Sequence, residues 1–478
     1  MTSVNKLLGR SAGERDSIIV GRTSQGYEIR ATPLRITRHV VAFEVYNPYS
    51  ILQLSEVLKE FKIIVNDRLI YSGRATVSSL VNTGIMVVCE ATLAEDWLDV
   101  DLFTLITEPK KLQADFSEFL KEWERIHSIL PEYKVVLSDM QNYFIDLRRW
   151  LEQVEFGIRS SPSREGSQVE REVIEELVPS VLPSMNSLFG RFEEVAEKVG
   201  PDLLPFHRTY AKRQLHPLVL CSPFAYRTYH KPLGYAGDYE MVNMILRDPL
   251  EGSSLFAKSV NLWFLTQAPA AAHRNRIQYL TNRLVDETRQ RQSRQQPMRI
   301  FDLGCGPAWE IQQFLSRDMI SNYASFTLLD FNDETLDHAG SVLGDLKSRF
   351  NRTTKIDLMK KSVHQFLKEE AKPGLSARYD FIYCAGIFDY LSDRICKRLV
   401  NIFYSMLEPG GLLIVTNVDA SNPSRNGMEY LLEWHLIYRN VQQLKALMPD
   451  EAPKGSANIL SDETGVNHYL EVRKFDDH

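Results

Sequence analysis

Met298-Arg-Ile-Phe-Asp-Leu-Gly-Cys-Gly-Pro-Ala-Trp-Glu310 decides how the rest of the chain is read. The apolar run at 300–303, broken only by Asp302, reads as a strand. Gly304 and Gly306 then alternate with Cys305, and a helical pattern begins near Pro307. Strand, tight glycine turn and helix start follow one another. Glycine lets the backbone turn sharply and lets a ligand lie against it. Pro307 suits the first turn of a helix, where a missing N–H costs nothing. Free N–H groups there would meet an anionic or carboxylate-bearing ligand.

Downstream, strand and helix alternate. Strands are expected over 325–330, 352–358, 379–384 and 412–416, and helices over 334–346, 392–407 and 428–444. Glu408-Pro-Gly-Gly411 is a turn, and 457–475 can hold two more strands. This alternation predicts a mostly parallel sheet with helices on both faces, binding ligands beyond the carboxyl ends of its strands. Asp330 ends the second strand, 24 residues beyond Gly306. An acid at that place accepts hydrogen bonds from a ribose diol. A dinucleotide fingerprint would add a third glycine, but Gly306 is followed by Pro307, Ala308 and Trp309.

Asp302-x-Gly304-x-Gly306, Asp330 and Leu407-Glu-Pro-Gly-Gly411 together resemble the class I S-adenosylmethionine (SAM)-dependent methyltransferases over roughly residues 296–475. The resemblance implies SAM as cofactor. Gly304, Gly306 and Pro307 would pass under its amino-acid end, and Asp302 would fix the loop or reach the amino group. Asp330 and Phe331 would hold the ribose, with Ser362 and Val363 near the adenine. Cys384, Ala385 and Gly386 would complete the cradle after the fourth strand. Two departures stand out: Ala308 occupies the place of a common third glycine, and no acid is placed for the adenine amine.

Three further stretches narrow the resemblance. They are His230-Lys-Pro-Leu-Gly-Tyr-Ala-Gly-Asp-Tyr239, Ala385-Gly-Ile-Phe-Asp-Tyr-Leu391 and Glu429-Tyr-Leu-Leu-Glu-Trp-His-Leu-Ile-Tyr-Arg439. Together they are similar to the bacterial methyltransferases of 3-hydroxypalmitic acid methyl ester biosynthesis, from about Pro205 onward. That similarity implies a small-molecule acceptor, the carboxylate of a (3-hydroxy) fatty acid or related metabolite, and a methyl ester signal as product. An O- or N-methyltransferase of another natural product, or a regulatory protein binding SAM or a cyclic dinucleotide, stays open.

Several residues are candidates for the acceptor side. Tyr229 and Tyr239 belong to the tyrosine-rich stretch 226–239, read as a loop and a candidate lid. Phe388 and Tyr390 follow the fourth strand and either wall the pocket or pack the core. Trp434, Tyr438 and Arg439 are read on one helix, where Arg439 could clamp a substrate carboxylate or form a surface ion pair. A carboxylate acceptor needs no base; a hydroxyl or amine would make Tyr235, Asp389 or His230 the suspects. Arg274 or Arg276, one helix before the glycine turn, could meet the cofactor's carboxylate, or both could be solvent-exposed. A lone histidine is more often structural.

At 478 residues the chain predicts several domains. We expect a tail at 1–20, a small β-barrel at 21–108, a helical linker at 109–204, a helical lid or substrate-binding region at 205–295 and the α/β methyltransferase domain at 296–478. Within the barrel, 50–61 reads as the one helical interruption and Asn66-Asp67 as a turn, while 287–296 reads as a polar hinge before the last domain. Arg35, Arg38 and Asn47-Pro-Tyr-Ser50 resemble the ligand motifs of PilZ-type barrels, with altered spacing and without the glycine, so docking is expected ahead of cyclic di-GMP binding. Net charge is −6, which leaves no global basic field for nucleic acid. Five scattered cysteines form no CxxC pair, fit a cytoplasmic protein and suggest no metal site. No apolar run is long enough to span a membrane, and a homodimer is left open.

Overall fold

A computed structural model describes residues 17–37, 39–46, 52–65, 68–82, 86–94, 113, 116–117, 120, 128–160, 166–293, 297–369, 378–453 and 455–475. The chain forms two compact units, Met1–Ser128 and Ile129–His478. Arg38, Asn47-Pro-Tyr-Ser50, the Asn66-Asp67 turn, the expected barrel boundary near 108 and most of the helical pattern before 128 lie outside the described residues.

The first unit contains a closed antiparallel barrel of β1 (Ser17–Arg22), β2 (Glu28–Ile36), β3 (Val40–Tyr46), β4 (Val57–Val65), β5 (Arg68–Asn82) and β6 (Met86–Leu93), in the order β1-β2-β3-β6-β5-β4. Pairing of β1 with β4 closes the barrel and removes its sheet edges. Alternate side chains turn inward, among them Ile19, Phe43, Phe61, Ile63, Tyr71 and Val77. Two expectations are corrected here. β1 begins at Ser17, inside the stretch read as tail, and 57–61 is strand rather than helix. A register shift between Leu58 and Phe61, with Glu60 at φ 50°, interrupts the period of two. Val57, Leu58 and Phe61 are therefore all buried, at a spacing that imitates a helix face.

The second unit opens with helices α1 (Pro131–Arg159), α2 (Gly166–Glu197), α3 (Leu204–Val219), α4 (Pro223–His230), α5 (Tyr239–Leu246) and α6 (Leu255–Thr266). They pack around Tyr133, Phe144, Phe192, Phe224 and Trp263. α7 (Ala268–Ser293) leads into the sheet, running through most of the stretch 287–296 that the sequence marks as a polar hinge. The stretch 226–239 is likewise only partly a loop, because 226–230 completes α4.

The sheet has the order β12-β13-β11-β10-β7-β8-β9. Its strands are β7 (Met298–Leu303), β8 (Ala324–Asp330), β9 (Lys355–Lys360), β10 (Tyr379–Cys384), β11 (Leu407–Val418), β12 (Ala457–Ser461) and β13 (Asn467–Arg473). The five strands from β9 to β11 are parallel, and β13 and β12 add an antiparallel edge. α8 (Trp309–Arg317), α9 (Asp333–Phe350), α10 (Val363–Glu369), α11 (Asp393–Met406), α12 (Arg425–Leu431) and α13 (Val441–Ala446) complete the unit. Strand order reverses between β7 and β10, which places a binding crevice at their carboxyl ends. No described helix is long and apolar enough to cross a membrane.

The helix expected over 428–444 is corrected. α12 ends at Leu431, Glu433 adopts φ 48°, and 433–440 is not helical. Tertiary hydrogen bonds hold this segment: Ile437 N donates to Asp389 O (2.6 Å) and Arg439 N to Val418 O (3.1 Å).

Candidate active site

The glycine turn hangs from β8. Gly304 N and Cys305 N both donate to Leu329 O, at 2.7 and 3.1 Å. Gly304 adopts φ +83°, and a Cβ there would stand 2.0 Å from Ile387 Cδ1. Gly306 is also left-handed, with open space where its Cβ would point. Pro307 is not in the first turn of α8, because Ala308 caps that helix. Its carbonyl instead accepts from Gln312 Nε2 (2.7 Å). Ala308, fully buried, has φ 54° and ψ 43°. The place of the absent third glycine thus keeps the conformation that glycine tolerates best.

Two carboxylates meet under this turn. Asp302 is buried, and its Oδ1 has no hydrogen-bond partner. Burial, then the charges of Glu310 and Asp330, push its pKa well up. Asp330 accepts from Asn332 N (3.0 Å) and from Gly306 N (3.3 Å). Burial raises its pKa to about 6 against these bonds. An orphaned acceptor, a second acid at a strand end and an open glycine fit a ligand bringing an ammonium and a diol. The residues therefore suit SAM: Asp302 toward the amino group, Asp330 toward the ribose. Phe331 follows Asp330 and lies 5.0 Å from the Tyr235 ring, centroid to centroid. Ser362, buried beside Val363, caps α10 by accepting from Gln365 N (3.2 Å). Cys384 and Ala385 lead into Gly386, whose N–H donates to Thr416 Oγ1 (3.1 Å).

The acceptor-side candidates separate. Tyr235 stands over the β8 end, its hydroxyl 3.5 Å from Thr335 Oγ1, and burial followed by the Asp330 charge drives its pKa far up. Tyr239 reaches Glu334 Oε1 (2.7 Å) on α9, and its pKa rises to about 12. Tyr229 packs against His216, and the ring neighbours of His230 are Tyr226 and Tyr229. Asp389 is buried as a brace, accepting from Val418 N (2.7 Å). Phe388 lies in the sheet core, whereas the Tyr390 hydroxyl accepts from Trp434 Nε1 (2.8 Å). Tyr438 lies under Arg425, its ring centroid 4.7 Å from the guanidinium carbon.

Arg439 is neither on a helix with Trp434 nor on the surface. It is 1% exposed, and its guanidinium donates to Asp393 Oδ1, Phe388 O, Asn417 Oδ1 and Leu391 O at 2.6–2.8 Å. With its donors engaged in this way, it staples the turn after β10 to β11. Of Arg274 and Arg276, which the sequence offered for the cofactor's carboxylate, Arg274 donates to Ile245 O (3.2 Å). Arg276 is 7% exposed and makes no hydrogen bond or ion pair among the described residues. Its Nη1 stands 3.2 Å from where a Gly386 Cβ would be. Burial raises the pKa values of Asp302 and Asp389, and the Arg276 charge offsets part of that rise. Only folding brings α7 to the end of β10, so no local sequence signal distinguished it.

The stretch 231–238 is pinned at both ends. Arg227 Nε donates to both Asp238 oxygens (2.9 and 3.1 Å), and buried Lys231 donates to Leu432 O (3.0 Å). Gly237 lies against Tyr390, whose hydroxyl would be 3.0 Å from an added Cβ.

Residues 272–451 match a family model described as a methyltransferase domain. The chain is therefore a methyltransferase enzyme, and its methyl donor is SAM. No curated protein matches it. Among solved structures it is similar to a "possible exported protein" of Bordetella parapertussis, at 18% identity over 53% of this chain and 86% of that one, TM-score 0.39. It is also similar to magnesium protoporphyrin IX methyltransferase of Synechocystis PCC 6803, at 11% identity over 56% and 99%, TM-score 0.34. A third similarity is to the N-methyltransferase NodS of Bradyrhizobium japonicum WM9, at 14% identity over 52% and 100%, TM-score 0.30.

Proposed function

We infer that the chain transfers the methyl group of SAM to the carboxylate of an apolar acid, a fatty acid or related metabolite, giving a methyl ester. The observation that carries this reading is Arg276, a buried guanidinium with no described partner beside Gly386. Asp302, Glu310 and Asp389 feel its charge, but none pairs with it directly; a carboxylate ligand would supply that paired, charge-assisted contact. When bound, SAM supplies a methyl carried on a positively charged sulfur. Asp302 and Asp330 hold the donor's amine and ribose, while Arg276 orients the acceptor oxygen. A carboxylic acid with a pKa of about 4 is ionised at neutral pH. Its oxygen lone pair forms the new bond to carbon, and the electrons of the broken carbon–sulfur bond stay on sulfur. No proton moves, so no base is required. Two of the three candidates for a base are otherwise placed: Asp389 accepts from Val418 N, and burial holds the Tyr235 hydroxyl protonated. Alignment of this kind supplies up to roughly 7–11 kcal/mol.

The test is single-turnover methyl transfer to a panel of straight-chain acids, alcohols and amines at saturating SAM between pH 6.5 and 9, with products identified by mass spectrometry. Methyl esters and a flat profile are expected. A rate rising with a step near neutrality, or methylated alcohols or amines in place of esters, overturns the carboxylate reading.

A further inference from the structure

The helical layer of the second unit encloses a cavity of about 380 Å³. That is within the range of small-molecule sites. Phe189, Phe224, Trp263, Phe264, Leu431 and Trp434 dominate its wall. Its mouth is marked by Asn186, Gly190 and Thr266, which line it and are exposed. Gly190 is an interior residue of α2, where glycine weakens a helix, and an added Cβ would meet nothing within 4 Å. The chain forgoes a side chain where one would stand in the opening.

Several polar groups of the wall are already engaged. Asn186 Oδ1 accepts from Trp263 Nε1 (2.8 Å) and Gln267 Nε2 (3.2 Å). Glu193 accepts from Asn426 N (2.9 Å) and Gly427 N (2.7 Å). His273 Nδ1 is bound to Pro269 O (2.9 Å). A ligand seated here would be held by apolar contact.

Two residues of the cavity wall connect it to the methyl-transfer site. Trp434, 5% exposed, lines the cavity and donates to Tyr390 just beyond β10. His273 lines it from α7, one helical turn before Arg276. Apolar wall and unpartnered guanidinium thus lie in series along one helix.

We propose that this cavity seats the apolar tail of the methyl acceptor, an unbranched alkyl chain, with Gly190 at the mouth and Ile245 and Trp434 inside limiting the chain it admits. The proposal rests on the carboxylate reading above and adds the site that selects the acceptor by length. Each methylene that enters is worth about fourfold in affinity until the cavity is full, after which longer chains gain nothing.

Binding is read on the full chain without turnover. Two of the six tryptophans line the cavity, so ω-bromododecanoate is expected to quench part of the emission saturably. Gly190→Phe at the mouth and Ile245→Phe within it are each expected to weaken that binding at least tenfold, with melting temperature and SAM affinity unchanged in Gly190→Phe. Across hexanoate, octanoate and decanoate, kcat/KM is expected to rise about fourfold per methylene. Absence of quenching in the unaltered protein overturns the proposal whatever the variants do. Wild-type binding in both variants does the same. ω-Bromododecanol separates the two readings. If it quenches and both variants abolish this, while no acid is methylated, the cavity stands and the carboxylate reading falls. Ester formation independent of chain length and of both variants leaves the carboxylate reading and removes the cavity.

Discussion

Replacing Arg439 by leucine distinguishes a staple from a substrate clamp. The side chain is 1% exposed and makes four hydrogen bonds, to Asp393, Phe388, Asn417 and Leu391. Bonds from a charged donor contribute about 1.5–3 kcal/mol each, so the gross loss is roughly 6–12 kcal/mol. Removing the guanidinium also removes its own desolvation cost, several kcal/mol, which offsets much of that sum. The buried carbonyls of Phe388 and Leu391 and the amide oxygen of Asn417 are left unpaired, and the net loss should be about 3–5 kcal/mol. For a unit as long as Ile129–His478, at the low end of 2–4 °C per kcal/mol, the melting temperature should fall by about 6–10 °C. Thermal unfolding by circular dichroism measures this, with SAM titrated by calorimetry below the transition. Lysine should recover only part of the loss, because one ammonium cannot reproduce the guanidinium fork. A melting temperature within about 1 °C of wild type, with the whole effect in the acceptor KM, would refute the staple and restore a clamp at this position.

Arg276→Gln is expected to lower kcat/KM for an acid acceptor by about 10–100-fold, the worth of one charge-assisted contact, while the SAM dissociation constant moves less than threefold. If calorimetry instead finds the loss in SAM affinity, the guanidinium serves the cofactor's carboxylate. Asp330 carries a pKa raised to about 6, and ribose hydroxyls would donate to its ionised form. SAM affinity should therefore weaken about tenfold from pH 7.5 to pH 5, and Asp330→Asn should abolish that dependence. The stability sign is opposite to the usual carboxylate case. Because the folded pKa lies above the unfolded value near 3.8, this group's contribution falls as pH rises from about 4 to 6. Asp330→Asn should accordingly leave the ligand-free protein as stable as wild type, or more so, at pH 7.5 in urea unfolding. Gly304→Ala should abolish SAM binding, because its Cβ would overlap Ile387 at a left-handed φ. Ala308→Gly should change stability by less than about 1 kcal/mol, since relief at φ 54° opposes loss of a buried methyl.

The barrel shows where sequence patterns mislead. β2 alternates from Glu28 to Pro33, before a register shift between Pro33 and Arg35. β4 carries a bulge at Lys59 and Glu60, which turns a period of two into helical spacing. At 433–440 the failure is different. The apolar residues at 434, 436 and 437 look helical, yet bonds to Asp389 and Val418, distant in sequence, hold the segment non-helical. Local pattern loses wherever long-range hydrogen bonds outweigh propensity.

What the sequence determined by itself is the cradle. Asp302, Gly304, Gly306 and Asp330 lie within 29 residues, on one strand, its turn and the next strand end, so parallel-sheet geometry brings them together without further information. Tertiary structure decided which arginine is engaged. Arg439 and Arg276 are both arginines near apolar residues in the sequence, and nothing local tells them apart. Folding surrounds Arg439 with acceptors and leaves Arg276, carried in on α7, buried beside Gly386 with none among the described residues. A charge becomes functional or structural according to which partners the fold delivers to it, and those of Arg439 come from elements 22 to 51 residues away.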